Sequence, residues 1–421
     1  MKMKPFIFCC LVLVGLYAVA NCHHISGKHK DEKELLEHSG AYDIINQGCP
    51  TRGSSYADFT FSFYKQVMLK EPNKNIFFSP ISISTAFAML AVGAKSTTLN
   101  QIFVGMGFNL TEVQVEDIHE GFHHLLYMLN KPDNEIEISL GNALFTDRGF
   151  RPLEKFLNDI KAFYEAEFLS SNFHNPPEAK KQINDYVEKK THGKIQNFLG
   201  SLDPRTVMVL VNYIYFKASW ENPFAPIQTT EADFFVDVKT PIKVNMMRQE
   251  GEYASYYDKQ LFCEVVQIPY HGTAEAILIL PDSGKMKEVE NVLVKETVCK
   301  WRKSLKTRRI NLYLPRVSVT GSYDIRQLFE KMGITQVFSS NADLSGINGA
   351  HDLQVTKAVH KALLKVHENG TEAAAATAII ISKVHQPSVT IKFNRPFIML
   401  ILDKASATML FMGKIVNPTE N

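Results

Sequence analysis

The 421-residue chain contains no proline-, glycine- or serine-rich linker, no internal repeat and no low-complexity block once its first twenty-odd residues are passed. Length alone leaves room for two or three domains; with nothing to separate them, one large domain over 55–421 is expected. Net charge is almost absent. Forty-six lysines and arginines stand against 44 acids, a formal +2, which excludes a general attraction to nucleic acid and makes any polyanion site a local matter. Catalytic signatures are missing too. There is no GxSxG elbow, no GxxxxGK[ST] phosphate loop, no CxxC pair and no GxGxxG turn. Serines and histidines are plentiful, but isolated positions do not make a triad. No enzyme activity, cofactor or bound metal is expected. With 45% hydrophobic and 21% charged residues, the composition is that of an ordinary globular protein.

A bilayer-spanning run is lacking as well. The nearest approach is Pro5 to Ala20, preceded by Lys2 and Lys4, which is the pattern of a secretory signal peptide over 1–22, cut near Asn21 or Cys22. A secreted, extracellular chain with no membrane span is expected. Cysteine is scarce: six in all, with Cys9 and Cys10 leaving with the leader and Cys22 at its edge. Cys49, Cys263 and Cys299 are odd in number and widely spaced, so they form no disulfide framework. One pair with a free thiol and three free thiols both fit. Residues 23–54 are polar, with His23, His24, His29 and His38 and several lysines, and read as a flexible N-terminal tail. Its histidines have no regular ligand spacing.

The rest alternates between helical and strand patterns. Helical periodicity covers Tyr56–Leu69, Pro152–Phe163, Ala179–Thr191 and Met286–Leu305. Ser79 is placed to cap, and Pro80 to open, a buried helix running through Leu90. Strands are expected at Asn75–Phe78, Glu135–Thr146, Val207–Phe216, Phe262–Pro269, Glu275–Pro281, Ile310–Val319, Lys361–His367, Val389–Phe393 and Phe397–Leu402, with short strands between Phe234 and Met247. The unbroken apolar run at Val207–Phe216 indicates a strand covered on both faces. The class is α+β. Asn109-Leu110-Thr111 is a glycosylation sequon and belongs on the surface. His119-Glu120-Gly121-Phe122-His123 matches the HExxH zinc pattern literally, but no third-ligand motif follows, and a helix without metal is the better reading.

One stretch is physically odd. Glu368-Asn369-Gly370-Thr371-Glu372 runs into Ala373, Ala374, Ala375, Ala376, Thr377 and Ala378, then into Ile379, Ile380, Ile381, Ser382, Lys383, Val384, His385, Gln386 and Pro387. The alanines favour helix when exposed, while the β-branched residues after them favour strand. From Ala373 to Ile381 nearly every side chain is small or apolar, and neither proline nor glycine interrupts. Such a segment tolerates water and also fits between two strands. It reads as a strand waiting to be inserted, in a chain with two states.

That stretch, with FNRPF from Phe393 and LFMGKIVNPTE from Leu410, resembles the reactive-centre loop and C-terminus of the serpins. Further motifs follow in family order: NIFFSPISISTAFAMLAVGA from Asn75, VMVLVNYIYFKASWENPF from Val207, LPRVSVTGSYD from Leu314, ADLSGI from Ala342 and KAVHKALLKVHENGTEA from Lys357. The likeness runs from about Tyr56 to Pro418 and is nearest the secreted α1-antitrypsin-like branch, with kallistatin and thyroxine-binding globulin as neighbours. It implies three β-sheets, about nine helices and an exposed reactive-centre loop over about 368–390, in a monomeric single domain.

The resemblance also implies a mechanism. A target serine protease attacks the loop, forms an acyl-enzyme, and is dragged away as the freed segment enters the main sheet. The hinge would be Gly370, Thr371, Glu372, Ala373, Ala374, Ala375 and Ala376. Counting from Gly370 puts the reactive bond at Val384–His385, suited to an elastase-like pocket. Counting back from Asn394 moves it to His385, and a shift the other way gives Lys383–Val384 and a trypsin-like target. Ser79, Ser82, Asn212 and His360 match the family's sheet gate, a role compatible with ordinary buried polar pairing. Trp220, Arg316 and Glu368 match the breach at the top of the sheet, with an ion pair expected between Arg316 and Glu368. Asn369-Gly370-Thr371 is itself a sequon, and a glycan on Asn369 would impede insertion.

Lys300, Arg302, Lys303, Lys306, Arg308 and Arg309 place six cations in ten residues across a helix end. Such density suits heparin or another sulfated glycosaminoglycan, as in kallistatin; a solvated helix end complementing the dipole is the plainer reading. The rival function is a non-inhibitory serpin carrying a small hydrophobic hormone, yet carriers place a large ligand-contacting residue where this chain has Ala407. A peptide-hormone precursor is third, with no such peptide at the N-terminus.

Overall fold

The computed structural model describes residues 56–130, 136–371, 388–406 and 408–420. The leader 1–22, the tail 23–54, the sequence from Glu372 to Pro387 and Ala407 lie outside the described residues.

The N-terminal half begins with α1 (Tyr56–Lys70), β1 (Ile76–Phe78), α2 (Pro80–Ala91), α3 (Ser96–Gly105) and α4 (Val115–Leu129). It continues through β2 (Ile136–Asp147), α5 (Glu154–Tyr164), β3 (Glu167–Ser171), α6 (Pro176–Lys190) and β4 (Met208–Ser219). Next come β5 (Thr230–Phe235), β6 (Pro241–Asp258), β7 (Cys263–Pro269), β8 (Ala274–Pro281), α7 (Met286–Asn291) and α8 (Lys295–Ser304). The chain closes with β9 (Lys306–Pro315), β10 (Val317–Asp324), α9 (Ile325–Lys331), α10 (Ser345–Asn348), β11 (Lys357–His367), β12 (Gly370–Thr371), β13 (Val389–Lys392), β14 (Phe397–Asp403) and β15 (Thr408–Ile415).

Hydrogen bonding joins the strands into a six-stranded sheet, ordered β10-β11-β12-β4-β2-β3, and a nine-stranded one, ordered β1-β15-β14-β8-β7-β6-β9-β13 with β5 on β6. The expected three sheets appear as two because β6 and β9 pair without a break from Met246↔Pro315 to Ser255↔Lys306, carrying one sheet into the next. Ten α-helices are present among the described residues.

Sequence dictates how these layers meet. Every residue of α2 is buried, and Ser79 caps it by accepting from the Ser82 N–H. Its polar residues Ser82, Ser84 and Thr85 all find hydrogen-bond partners, so the helix can sit wholly inside the protein, and α2 lies against β4, β2 and β15. In β4 the alternation of strand side chains splits the apolar run between two cores. Met208, Leu210, Ile214, Phe216 and Ala218 join the large central cluster. Val209, Val211 and Tyr213 join a smaller one beneath Ala179, Ile183 and Val187 of α6.

Three of the expected elements take other bounds in the structure. The 286–305 helix is two helices, because β-branched Val292 and Val294 flank Leu293, which turns into the core at 1% exposure. The short strands after Phe234 include one 18-residue strand, β6; its run Arg248–Glu252 is exposed or half-buried and shows no apolar alternation, yet it pairs along its whole length with Arg309–Tyr313. The strand expected over 310–319 starts at Lys306 and changes sheet at Arg316, between β9 and β10. The basic stretch is therefore shared between a helix and a strand.

Candidate functional site

The candidate site is the seam between β11 and β4. The two strands pair in parallel from Lys357↔Val209 to Ala362↔Ile214. Higher up, β12 lies between them, antiparallel to both: Thr371 stands opposite Val366 and Ala218, and Gly370 opposite His367 and Ser219. Among the described residues, 363–365 and 215–217 share no ladder contact. The seam is thus closed below, open in the middle and plugged at the top by two residues.

The plug is built from the chain's own turn. β11 ends at His367, and Glu368 and Asn369 reverse the direction. Gly370 sits at φ +134°, where an added Cβ would come 2.2 Å from the Ala218 carbonyl oxygen. Only glycine fits both the dihedral and the space. Thr371 is 1% exposed, and its hydroxyl is 2.9 Å from the Tyr270 hydroxyl.

Trp220, Arg316 and Glu368 come together above the plug. The Trp220 ring is fully buried and stacks on Tyr270 at 4.2 Å. Its Nε1–H donates to the His367 carbonyl at 3.0 Å, and its backbone N–H to the Asn369 carbonyl at 2.8 Å. Arg316 grips Glu368 with Nε and Nη2 at 2.7–3.1 Å, and the Thr229 hydroxyl donates to the same carboxylate at 2.5 Å. Burial pushes the Glu368 carboxyl up, but the hydrogen bonds from Arg316 and Thr229 outweigh it and hold the group below its ordinary 4.5.

Lower in the seam, Ser79, Ser82, Asn212 and His360, the residues expected at the gate, meet. His360 Nε2 accepts from the Ser79 N–H at 3.0 Å, so the proton is on Nδ1, which faces Asn212 Oδ1 at 2.7 Å. Asn212 Oδ1 also accepts from the Ser82 hydroxyl at 2.9 Å, while its Nδ2 donates to the Ser82 carbonyl at 2.8 Å and to Asn142 Oδ1 at 2.7 Å. Asn142 Nδ2 reaches the Thr85 hydroxyl at 3.3 Å. His360, Asn212 and Asn142 occupy one register across β11, β4 and β2. Burial lowers His360 to about 3, so the ring is neutral at physiological pH.

Sequence reasoning missed Asn142, Thr85, Tyr270 and Thr229. Asn142 carried a signal: it is a polar residue inside a strand whose neighbours Ala143 to Phe145 are fully buried. The other three are ordinary in sequence and become partners only through packing. Of the hinge, Gly370 and Thr371 are described, while Glu372 through Ala376 and the reactive-bond candidates Lys383, Val384 and His385 lie outside the described residues.

The other candidates disperse. His119 is 8% exposed, with Nδ1 2.5 Å from the Tyr164 hydroxyl, and burial lowers it to about 4; His123 is exposed. No cluster of metal-ligating residues exists among the described residues. The basic stretch is largely neutralised: Lys300 pairs with Asp258 at 3.0 Å, Arg302 with Glu275 at 2.9 Å, Arg309 with Glu250 at 3.0 Å, and Arg308 with Glu264. Lys303 and Lys306 are exposed. Asn109 is exposed, and its Oδ1 accepts from the Thr111 N–H and hydroxyl; Asn369 is half-buried. No described helix is long and apolar enough to cross a membrane.

The profile of one family, described as serpin (serine protease inhibitor), matches residues 54–418. The chain belongs to the serpin family. It is 42% identical to α1-antichymotrypsin of Pongo abelii, covering 100% of this chain and 99% of that one, and 44% identical to α1-antiproteinase 2 of Equus caballus, covering 98% and 96%. Among solved structures it resembles human thyroxine-binding globulin (TM-score 0.85, 41% identity) and human glycosylated kallistatin (TM-score 0.83, 42% identity). Each of those likenesses covers 90% of this chain and 100% of the other. The resemblance read from the motifs and the fold it implied agree with these findings, and membership implies a serine protease as partner.

Proposed function

We propose that this chain is a secreted, monomeric serine-protease inhibitor that acts as a suicide substrate and does not itself turn over substrate. The observation that carries the reading is the seam: the first two hinge residues already occupy the position a new strand would take. A protease serine attacks the carbonyl of the residue before the scissile bond, and the new N-terminus leaves with the C-terminal fragment. The acylated segment then extends β12 downward, drawing the protease with it. Insertion has to outrun hydrolysis of the acyl bond, which is why a run of small residues from Ala373 to Ala376 suits the role.

Register says where each residue would go. Thr371 faces Ala218 and Val366, so continuing β12 brings Thr377 opposite both Asn212 and His360. Odd-numbered residues from Thr371 onward would enter the core beside Ala218, Phe216 and Ile214; even-numbered ones would face α6. The one hydroxyl among the alanines would arrive where the incoming strand separates His360 from Asn212, and would offer each a replacement partner. Lower still, Ile379 would meet Leu210 and Ala358.

The reactive bond is assigned to Val384–His385, with Lys383–Val384 as the alternative. Incubation with elastases, chymotrypsin and trypsin tests both reading and bond. A denaturant-stable complex is expected, with mass spectrometry of the released C-terminal peptide starting at His385. Cleavage without a complex would reject inhibition and favour the hormone carrier, for which the likeness to thyroxine-binding globulin speaks. Asn109 is assigned a glycan. At Asn369 the sequon's Thr371 is buried in the folded chain, so any glycan there must be added before folding and would keep the plug out. The basic stretch is assigned a weak polyanion role, because four of its six cations already face carboxylates. Elution from immobilised heparin is expected below physiological salt, with exchange of Arg308 and Arg309 lowering it further.

A further inference from the structure

A cleft of about 760 Å³ lies between the end of α1, α7 and the end of β15. Its walls are apolar at Met68, Leu69, Val236, Met286, Pro396 and Val416, and Glu290 and Lys414 line it as well. None of these residues belongs to the seam. We propose that this cleft binds a neutral amphiphile, an apolar chain whose hydroxyl headgroup donates to Glu290.

Glu290 supplies the recognition. It is 4% exposed and Lys414 1%, so two charged groups are taken almost wholly out of water. Lys414 Nζ stands 2.9 Å from Glu290 Oε1 and donates to the Pro72 carbonyl at 2.8 Å. The Tyr64 hydroxyl donates to the same Oε1 at 2.7 Å. These contacts tie α7 to α1 and β15, and they use one carboxylate oxygen. The other, Oε2, receives no hydrogen bond among the described residues, and it keeps some contact with solvent. Because Glu290 lines the cleft, Oε2 opens into it. A carboxylate oxygen with its lone pairs free is a strong acceptor. A hydroxyl placed there makes a charge-assisted hydrogen bond, while the tail behind it covers the apolar walls.

Charge decides the class of headgroup. An ammonium at Oε2 would sit beside the Lys414 ammonium, and a carboxylate would face Glu290 itself. Around the cleft, Asp237, Glu290 and Glu420 stand against Lys287 and Lys414, so no positive field draws an anion in. A neutral donor meets neither penalty. The ligand's tail has a path. A second cleft of about 400 Å³ shares Asp237, Met286 and Pro396 with the first and adds Phe235 and Val238. Leu69, Phe235 and Val238 are large apolar side chains exposed to solvent, and all three border this joined groove. Exposed apolar side chains gathered along one groove, around a convergent polar group, are the makings of a small-molecule site.

NMR titration of the whole protein, isotope-labelled at its methionine methyl groups, tests this. Glycerol monolaurate, laurate and dodecylamine serve as probes of equal chain length, each kept below its micellar concentration. The signals of Met68 and Met286, identified by Met68→Leu and Met286→Leu, are expected to shift saturably with glycerol monolaurate. Laurate and dodecylamine should bind about ten-fold more weakly, the worth of one charge-assisted hydrogen bond. Leu69→Glu, on the exposed rim, should weaken glycerol monolaurate about five-fold and leave the melting midpoint unchanged. Glu290→Gln turns an amide N–H toward the cleft and should reverse the order, making laurate the tightest probe. Shifts absent from Met68 and Met286, equal affinity for the three probes, a preference for dodecylamine, or wild-type binding by Leu69→Glu would each overturn the proposal. If Glu290→Gln fails to fold, the probe order and Leu69→Glu still decide it. No protease enters the measurement, so its outcome is independent of the inhibitor reading.

Discussion

Asn212 uses its whole amide: two donated and two accepted hydrogen bonds, to Ser82, Asn142 and His360. A buried side chain satisfied in this way is costly to disturb, since each orphaned polar group costs about 1–3 kcal/mol. Asn142→Ala removes the acceptor for one Asn212 N–H, so a loss of about 2 kcal/mol in denaturant stability is expected. A change below a few tenths would mean that Asn142 is a bystander. Thr377→Val keeps the volume and deletes the hydroxyl that would replace the parted His360–Asn212 contact. One lost hydrogen bond, about 1 kcal/mol, corresponds to about five-fold slower insertion. The stoichiometry of inhibition should rise, while first cleavage of the loop keeps its rate. An unchanged stoichiometry would place Thr377 elsewhere in the inserted sheet.

At the scale of the element, the β11–β12 turn is held by one carboxylate. Glu368 receives Arg316 and Thr229 and is 6% exposed. Glu368→Lys would set two cations together over a seam that is already open in its middle. Loop–sheet polymers on native gels and reduced secretion are expected; a variant that is secreted and monomeric like wild type refutes the ion pair as a lock. Gly370→Ala puts a methyl group against the Ala218 carbonyl and strains a positive φ. It should expel the plug, so that Thr371 no longer rests against Tyr270 and protease cleavage of the loop becomes faster. Hydrogen exchange at the Thr371 amide reports this directly.

For the whole molecule, acid acts on both locks with the same sign. His360 has its folded value lowered to about 3 from an ordinary 6.5, so the stability it contributes is complete above 6.5 and drains away as pH falls from 6.5 toward 3. Glu368 is also lowered, so its share is present above 4.5 and is lost below that value. Polymerisation or spontaneous insertion should therefore accelerate as pH falls below 6.5, and more steeply below 4.5. His360→Gln should flatten the upper limb and leave the lower one. A rate independent of pH between 7 and 4 would remove the gate from the account.

Local chemistry settled much of this protein in advance. The Ser79 cap, the buried α2 and the two-sided run at Val207–Phe216 follow from periodicity and capping, which act over a few residues. The stretch after Thr371 stands out because its side chains are small, a property of composition. Tertiary structure alone decided the rest. Arg316 reads as the middle of one strand, and only the change of sheet between β9 and β10 aims it at Glu368. The cations from Lys300 to Arg309 read as a single patch, and only the neighbouring β6, β7 and β8 supply the carboxylates that neutralise four of them. Asn142, Thr85 and Tyr270 join the site across 57 to 101 residues of chain, a distance over which no local pattern operates. Periodicity fixes which face a side chain takes; which partner waits there depends on strand order, and strand order is set by how the whole core closes.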